Sequence, residues 1–337
     1  MNRRWLCNDV WMDIFPCFDR PQLGLKLAIL SPRFNALVNK HFDGKSELTI
    51  WRPITIRKNS VTAAPELSVF NDVANFVKFP LPDSSLPSKI RFKYLQIEYI
   101  DYSVIAFLRS NQHIFDKRGI NLHQFGIIFV REIWPIFSTK IRHLGFTGGY
   151  HLDNLRRLIS PTILTDLNQL NSISSVDLLP AAFGGDFDGP NATAGQALYK
   201  WLQTPRKDGQ PKRLRCEDYN KEADFNWVNK FQAGAFLRAT ISSVSYEIHF
   251  TVHAPPMPMM PFELVNEWTK EKLTLAKAKK TDNWIMKRCK IGETAAVQQQ
   301  KWNNVFIWLF SGTNCMLFGA NNYIGSLSPP PEEEDEA

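Results

Sequence analysis

Three short amphipathic runs within residues 6–42 constrain the fold of this chain more than any other feature. Apolar residues recur at helical spacing in each run. They are Leu6, Val10, Ile14 and Phe18, then Leu23, Leu27 and Leu30, then Phe34, Leu37, Val38 and Phe42. Ser31 is a favoured N-cap, and Pro32 would occupy the first helical position, where its missing N–H costs nothing. A unit of about 40 residues cannot bury this much apolar surface alone, so part of it must face the rest of the chain or a partner.

The same segment resembles an F-box. The family pattern is a Leu-Pro start, an acid, spaced aliphatic residues, a Leu-rich second helix, and then Ser, a basic residue and an aromatic. The positions in register are Leu6, Asp9, Val10, Ile14, Phe15, Leu23, Ser31, Arg33 and Phe34. The resemblance implies docking onto a Skp-family adaptor, and through it onto the cullin scaffold of a ubiquitin ligase. The adaptor-binding residues that it implies are Leu6, Cys7, Val10, Ile14, Phe18, Leu23, Leu27 and Phe34. A generic three-helix packing unit is the alternative.

Three residues depart from the family pattern. Cys7 stands where the family usually has proline, Trp11 replaces an aliphatic residue, and Pro16 is expected to end the first helix early. A proline at position 7 would restrict the backbone at the start of the first helix. The substitution therefore predicts a looser entry to that helix than in other F-boxes.

The stretch from residue 46 to residue 254 alternates between strand-like and helical patterns. Strands are predicted at residues 48–56, 94–100, 125–130, 141–146, 174–179, 212–217 and 244–250, and helices at 104–109, 152–170 and 196–203. Irregular spacing of strands, most of them separated by helices, favours a leucine-rich-repeat-like α/β region. The repeat signature itself is not cleanly met, so an ordinary layered α/β domain is the alternative.

Four prolines within residues 255–261 predict a stiff connector. Beyond it, strand patterns predict a β-rich C-terminal module over residues 262–325, with a hairpin turn near 267–272 and a third strand at 283–291. Residues 326–337 are rich in proline and acids and are expected to be disordered. The predicted fold is therefore α+β and multidomain, with an F-box at 1–45, an α/β region at 46–254, the module at 262–325 and the tail.

The whole chain is similar to an expanded family of F-box proteins from plant-parasitic nematodes. Residues 19–28, 33–42, 196–206 and 261–275 carry this similarity. It implies a receptor arm for a substrate, but it identifies no substrate.

Composition and cysteine usage predict an intracellular protein, cytoplasmic or nuclear. The five cysteines are odd in number and widely spaced, which is typical of a reduced protein without disulfides. No apolar run reaches the 18 residues that a membrane span needs. The formal net charge is +7 even though residues 332–336 are all acidic, so the remainder of the chain is clearly basic. A solvated basic surface is the simplest interpretation.

No catalytic, metal or cofactor motif is evident. His249 and His253 are four residues apart in a strand-like run, but no Cys or acid at ligand spacing joins them. Surface or cross-strand histidines are the simpler interpretation. We therefore expect a non-enzymatic protein without cofactors.

The favoured function is the substrate-recognition subunit of a Skp–cullin–F-box ubiquitin ligase, and Trp268, Trp284 and Arg288 are the candidate substrate-binding residues. Packing roles for these three residues are the alternative. The runner-up function is a non-catalytic protein that binds nucleic acid or another anionic ligand. Nucleic acid is the less expected partner because the basic residues are scattered.

Overall fold

The chain is an α+β protein in which N-terminal helices precede two mixed β-sheets with interspersed helices. The computed structural model describes residues 6–43, 48–70, 76–83, 85–115, 119–122, 126–146, 148–176, 178–181, 189–219, 236–240, 244–252, 260–278, 283–292 and 315–324. Two compact units make up the fold. Unit 1 comprises Met1–Arg118, Arg131–Phe137 and Gly312–Ala337, and unit 2 comprises Gly119–Val130 and Ser138–Ser311.

Unit 1 begins with the predicted helices. They are α1 (Asn8–Ile14) with a 3-10 turn at Phe15–Cys17, α2 (Arg20–Gln22) continued by a π-helical segment Leu23–Leu27 and a 3-10 turn Ala28–Leu30, and α3 (Pro32–His41). The predicted early end of the first helix is confirmed, because regular α-helix stops at Ile14 and Pro16 lies in the 3-10 turn.

The sheet of unit 1 contains five described strands. They are β1 (Leu48–Lys58), β2 (Pro65–Phe70), β3 (Phe76–Pro80), β4 (Ile90–Ile100) and β13 (Cys315–Ile324). Strand β4 is parallel to both β1 and β13, whereas β1, β2 and β3 form an antiparallel meander. A register shift between Ile50 and Pro53 lets β1 continue past a residue that cannot donate a ladder hydrogen bond. Helices α4 (Tyr102–Ser110) and α5 (Trp134–Phe137) complete the unit.

Unit 2 contains a sheet in which five strands lie side by side in chain order, all parallel. They are β5 (Gly119–Leu122), β6 (His143–Phe146), β7 (Ser172–Val176), β8 (Lys212–Tyr219) and β9 (Tyr246–Val252). Strand β9 then pairs antiparallel with β12 (Asn283–Lys290), which continues to β11 (Glu271–Lys277) and β10 (Phe262–Asn266). The helices of the unit are α6 (Gly149–Leu158), α7 (Ile163–Asp166) and α8 (Ala194–Gln203).

Two of the predicted elements are wrong. Residues 127–128 are helical and Phe129–Ile133 forms a π-helical turn, so the strand predicted at 125–130 is absent. A short apolar run cannot be assigned to helix or strand by periodicity alone. The single helix predicted over 152–170 is instead two helices, α6 and α7, with Pro161 between them. Proline removes a helical hydrogen bond and clashes with the preceding turn.

The two compact units divide the chain differently from the predicted segments. Strand β12 pairs with β9, so the sheet of unit 2 joins residues on both sides of the proline-rich stretch at 255–261. Strand β13 falls within the predicted module at 262–325, but it pairs with β4 and belongs to unit 1. Strand pairing over long sequence distances leaves no signature in local composition, which was the basis of the predicted boundaries. The tail at 326–337 lies outside the described residues.

Candidate functional site

The N-terminal helices are held together by capping residues and by one arginine. Asp19 and Gln22 form a reciprocal capping box at the start of α2, and the Ser31 hydroxyl accepts a hydrogen bond from the backbone N–H of Phe34. The Arg33 guanidinium on α3 donates to the carbonyl oxygen of Leu6 at 2.7 Å and to Asn8 Oδ1 at 2.9 and 3.1 Å. These contacts tie the start of α1 to α3.

Aromatic residues form the inner contacts of these helices. The rings of Trp11 and Phe34 meet edge to face with their centroids 4.9 Å apart. Phe15, one turn after Trp11, is fully buried and lies 5.7 Å from the ring of His41. Trp11 and Phe15 therefore define the face of α1 that packs against α3.

Val10 and Ile14 of the predicted stripe lie on another face of α1, whereas Leu6 precedes this helix and Phe18 follows its 3-10 turn. Leu6 is 49% exposed and Val10 is 38% exposed, and Leu30 beyond the second helical segment is also exposed. Cys7 is exposed as well. Four more of the predicted adaptor-binding residues are partly exposed, namely Ile14, Phe18, Leu27 and Phe34.

Leu23 is the exception among the predicted adaptor-binding residues. It retains only 2% exposure, so it belongs to the core of unit 1 and its side chain offers no surface to a partner. The helical spacing of Leu23, Leu27 and Leu30 could not separate the two roles, because the π-helical segment at Leu23–Leu27 changes the rotation between successive apolar residues.

The backbone at Cys7 has the conformation that proline adopts. Its φ is −68° and its ψ is 163°, and it acts as the N-cap of α1 without a capping side-chain hydrogen bond. Proline locks φ near −65° and favours the entry to a helix. Position 7 therefore has the local geometry that a proline requires.

The three predicted substrate-binding residues have different environments in unit 2. Trp268, in the turn between β10 and β11, is 85% exposed. Trp284 on β12 is partly exposed. Arg288 is buried, so its guanidinium cannot lie on a recognition surface.

Arg288 instead organises a buried polar cluster. Its guanidinium donates to Glu271 Oε2 at 2.6 and 3.0 Å and to Gln203 Oε1 at 2.9 Å, and it lies over the ring of Phe236 at 5.3 Å. Glu271 is fully buried, and its other oxygen accepts from the Val244 backbone N–H at 3.2 Å. These contacts join α8, β11 and β12, so the role of Arg288 is structural.

The sheet of unit 2 has a polar face that the sequence patterns above did not predict. Register places five polar side chains in one row across neighbouring strands. The row consists of His143, Ser172, Arg213, Glu247 and Lys287. The register places Ser174, Arg215 and His249 in a second row two residues further along. Most of these residues are partly exposed, whereas alternate residues such as Leu214 and Ile248 are buried.

The polar face has its own electrostatic pattern. His143 contacts the Ser172 and Ser174 hydroxyls at 2.9 and 3.1 Å, and burial together with the charge of Arg215 lowers its pKa to about 4. Burial alone would raise the pKa of Glu247, but the hydrogen bond from His249 at 2.8 Å and the nearby positive charges lower it overall. His143 is therefore neutral and Glu247 ionised near neutral pH.

His249, one of the two histidines considered as metal ligands, is the hydrogen-bond partner of Glu247, and His253 lies outside the described residues. Within the described part of the chain, no three His, Cys, Asp or Glu side chains cluster as a metal site would require. No described helix has the length and apolar character to cross a membrane.

Comparisons with protein-family models, with curated proteins and with solved structures found no match to this chain.

The signal for the polar face was present in the sequence. Residues 213–216 read Arg-Leu-Arg-Cys and residues 246–250 read Tyr-Glu-Ile-His-Phe, so polar and apolar residues alternate in both strands. This period of two predicts a strand with one solvated face. Which strands are neighbours, and hence which polar residues share a row, depends on the register and could not be inferred.

Proposed function

We propose that this chain is the substrate-recognition subunit of a Skp–cullin–F-box ubiquitin ligase. Residues 1–45 would act as the F-box and bind the Skp-family adaptor, while unit 2 would bind a protein substrate. The chain would position the substrate inside the cell, and the ubiquitin chemistry would belong to other subunits. The resemblance of residues 6–34 to the F-box pattern, and that of the longer chain to the nematode family, are the starting points of this proposal.

The observation that carries the proposal is that the residues of α1 that pack against α3 differ from the apolar residues that stay exposed. Trp11 and Phe15 already supply the contacts of this helix with α3. Val10, on another face of this helix, and Leu6, just before the helix begins, remain substantially exposed. Apolar residues clustered on an exposed helix face commonly mark a protein interaction site, and a docking helix must combine an inner packing face with an outer binding face.

Unit 2 supports the receptor part of the proposal. Strands β5 to β9 are parallel and adjacent in chain order, as stacked α/β repeats would be. Helices α6 and α8 contact each other, and α6 contacts β6, so helices cover one side of the sheet. A rigid sheet with a polar face and an exposed hairpin offers the kind of surface on which substrate recognition is built.

Adaptor binding by matched variants tests the proposal. Leu6→Ala combined with Val10→Ala removes exposed apolar side chains, so we expect the free energy of unfolding to change by less than about 0.5 kcal/mol for each substitution. Adaptor affinity should fall at least about tenfold if these residues anchor the interface. Isothermal titration with a purified Skp-family adaptor measures the affinity, and urea unfolding measures stability.

Two further variants separate binding from folding. Leu23→Ala empties a buried site and should cost about 2–5 kcal/mol of stability. Val61→Ala, at an exposed residue of the β1–β2 connection, should change neither stability nor affinity. Wild-type protein that fails to bind the adaptor, or a double variant that binds it as tightly as the wild type, would contradict the assignment.

The second candidate function is binding of nucleic acid or another anionic ligand. One observation favours it, because Arg213, Arg215 and Lys287 lie on the same polar face of unit 2. Glu247 lies between Arg213 and Lys287 in the row and reduces the net positive charge there. If phosphates dominate binding, the logarithm of the affinity for RNA must fall steeply with the logarithm of the salt concentration. Binding that is insensitive to salt would exclude this function.

A further inference from the structure

The connection between β10 and β11 in unit 2 is a turn held by a buried asparagine. Asn266 retains 2% exposure, and its Oδ1 accepts hydrogen bonds from the backbone N–H groups of Trp268 at 2.9 Å and Thr269 at 3.1 Å. Its Nδ2 donates to the carbonyl oxygens of Phe236 and Ala239 at 2.7 and 2.9 Å. Because one side chain fixes both the turn and the neighbouring segment, the conformation that presents Trp268 is set before any partner arrives.

Apolar side chains from three segments are exposed around this turn. The backbone N–H of Ile291 donates to the carbonyl oxygen of Lys270 at 3.0 Å, which brings the end of β12 beside the turn. Leu237 directly follows Phe236, whose carbonyl is held by Asn266. We name the exposed residues Leu237, Trp268 and Ile291 the tip surface.

The tip surface has a cationic rim. Arg238, Lys270 and Lys290 are exposed within the same three segments. Two exposed carboxylates belong to these segments: Glu267 lies 3.0 Å from the ammonium group of Lys270, and Glu263 lies 3.6 Å from that of Lys272. The cations Arg238, Lys270, Lys272 and Lys290 outnumber the carboxylates Glu263 and Glu267, so the described residues near the turn carry a net positive charge.

We propose that the tip surface is a docking site for an acidic protein segment that carries an apolar anchor side chain. This proposal rests on the proposed function, because it names the class of substrate that the receptor would bind. Tryptophan is enriched among the residues that dominate binding energies, and a fixed turn lowers the entropy lost when a partner is bound. The cationic rim accelerates encounter with an acidic segment and disfavours basic ones.

Fluorescence anisotropy with the full chain tests the proposal. The probe is a fluorescein-labelled library of terminally blocked 15-residue peptides, with Asp and Glu flanking a central position that holds Leu, Phe or Trp. One matched library has Gly at the centre, and another has Lys in place of the acids. Vesicles of phosphatidylcholine and phosphatidylserine provide a separate test for a membrane partner.

The expected result is that the acidic library with an apolar centre binds most tightly. Trp268→Ala should weaken binding at least tenfold, Lys270→Glu with Lys290→Glu should weaken it at least fivefold, and Val61→Ala should leave it unchanged. The two lysines are exposed, so the charge variant keeps the test decisive even if Trp268→Ala unfolds the tip. Added salt should reduce binding by the wild type more than binding by the charge variant.

Equal binding of all three libraries, binding unaffected by Trp268→Ala and by the charge variant, or binding to the vesicles alone would overturn the proposal.

Adaptor affinity, measured on the same variants, should stay at the wild-type value because the substitutions lie in unit 2. Loss of peptide selectivity with normal adaptor binding would contradict only the tip proposal. Failure of the wild type to bind the adaptor, with peptide selectivity intact, would contradict the ligase assignment and leave the tip surface as an acidic-segment site.

Discussion

Arg33 holds Leu6 in place at the start of the first helix. Its Nη2 donates to the Leu6 carbonyl oxygen at 2.7 Å, and the same guanidinium donates twice to Asn8 Oδ1. Arg33 therefore fixes the backbone next to two exposed residues, Leu6 and Cys7. Leu6 and Cys7 have short side chains, so the positions of these side chains depend on where the backbone is held.

Arg33→Met should weaken adaptor binding although Arg33 need not touch the adaptor. The substitution keeps the aliphatic part of the side chain and removes the donors, so the start of α1 is expected to fray. We expect a stability loss of about 1–2 kcal/mol from three partly exposed hydrogen bonds. Affinity measured by titration should fall severalfold, whereas Lys40→Met, at an exposed residue of the same helix, should have no effect. Equal affinities for Arg33→Met and the wild type would refute this positioning role.

Cys7→Pro should stabilise the chain slightly and strengthen adaptor binding. The φ of −68° at position 7 already suits proline, so the substitution restricts the unfolded chain without straining the folded one. The expected gain in the free energy of unfolding is about 0.4–1 kcal/mol. Thermal and urea unfolding measure it, and Cys7→Ala is the matched control because it removes the thiol without restricting φ. Weaker adaptor binding by both variants would indicate that the Cys7 thiol itself contacts the adaptor.

Arg288 should contribute to stability and not to recognition. Removing one member of a buried ion pair leaves the other charge without compensation, so Arg288→Met and Glu271→Leu should each cost about 3–5 kcal/mol. The double variant should lose much less than the sum, because both buried charges are then absent. Urea unfolding of the four proteins gives the coupling energy. Additive losses would show that the two charges do not depend on each other.

The sequence predicted local features better than it predicted surfaces. The N-terminal helices, the strand preceding α4 and the hairpin near Trp268 each follow from short patterns and occur as predicted. Burial did not follow from these patterns. Leu23 and Leu27 share a helical stripe in the sequence, yet Leu23 is buried and Leu27 is partly exposed.

Long-range contacts were the main obstacle to predicting the candidate sites. Arg288 lies in a strand-like run between other charged residues, and only its pairing with Glu271 and Gln203 reveals that it is buried. The tip surface likewise depends on Asn266 reaching the carbonyl of Phe236, thirty residues earlier in the chain. Neither contact has a signature in local composition.

His143 should make unfolding more pH-dependent below neutrality. Burial and the charge of Arg215 lower the pKa of His143 in the folded chain from 6.5 to about 4. As the pH falls, His143 is therefore protonated in the unfolded chain before it is protonated in the folded chain. Its contribution to stability is therefore complete above pH 6.5 and is lost progressively as the pH falls toward 4.

Urea unfolding between neutral pH and pH 4 tests this expectation. His143→Gln keeps a donor and an acceptor for Ser172 and Ser174 but cannot titrate in this range, so it is the matched comparison. The free energy of unfolding of the wild type should fall more steeply with pH than that of the variant. Parallel curves for the two proteins would show that His143 has the same proton affinity in both states.

Strand β13 should be needed for the stability of unit 1, whereas the acidic tail beyond it should not. Cys315–Ile324 pairs in parallel with β4, so a chain that stops at Gly312 leaves one edge of β4 without this partner. Lost ladder hydrogen bonds and an exposed strand edge are expected to lower Tm by about 5 °C or more and to promote aggregation. A chain that stops at Leu327 keeps β13 and should melt like the full chain, because the acidic tail is expected to bury no apolar surface.

Differential scanning calorimetry and light scattering on the three chains measure these effects. Equal melting of all three would show that the β13–β4 pairing contributes little to stability, and a lower Tm for the chain ending at Leu327 would show that the tail has structural contacts.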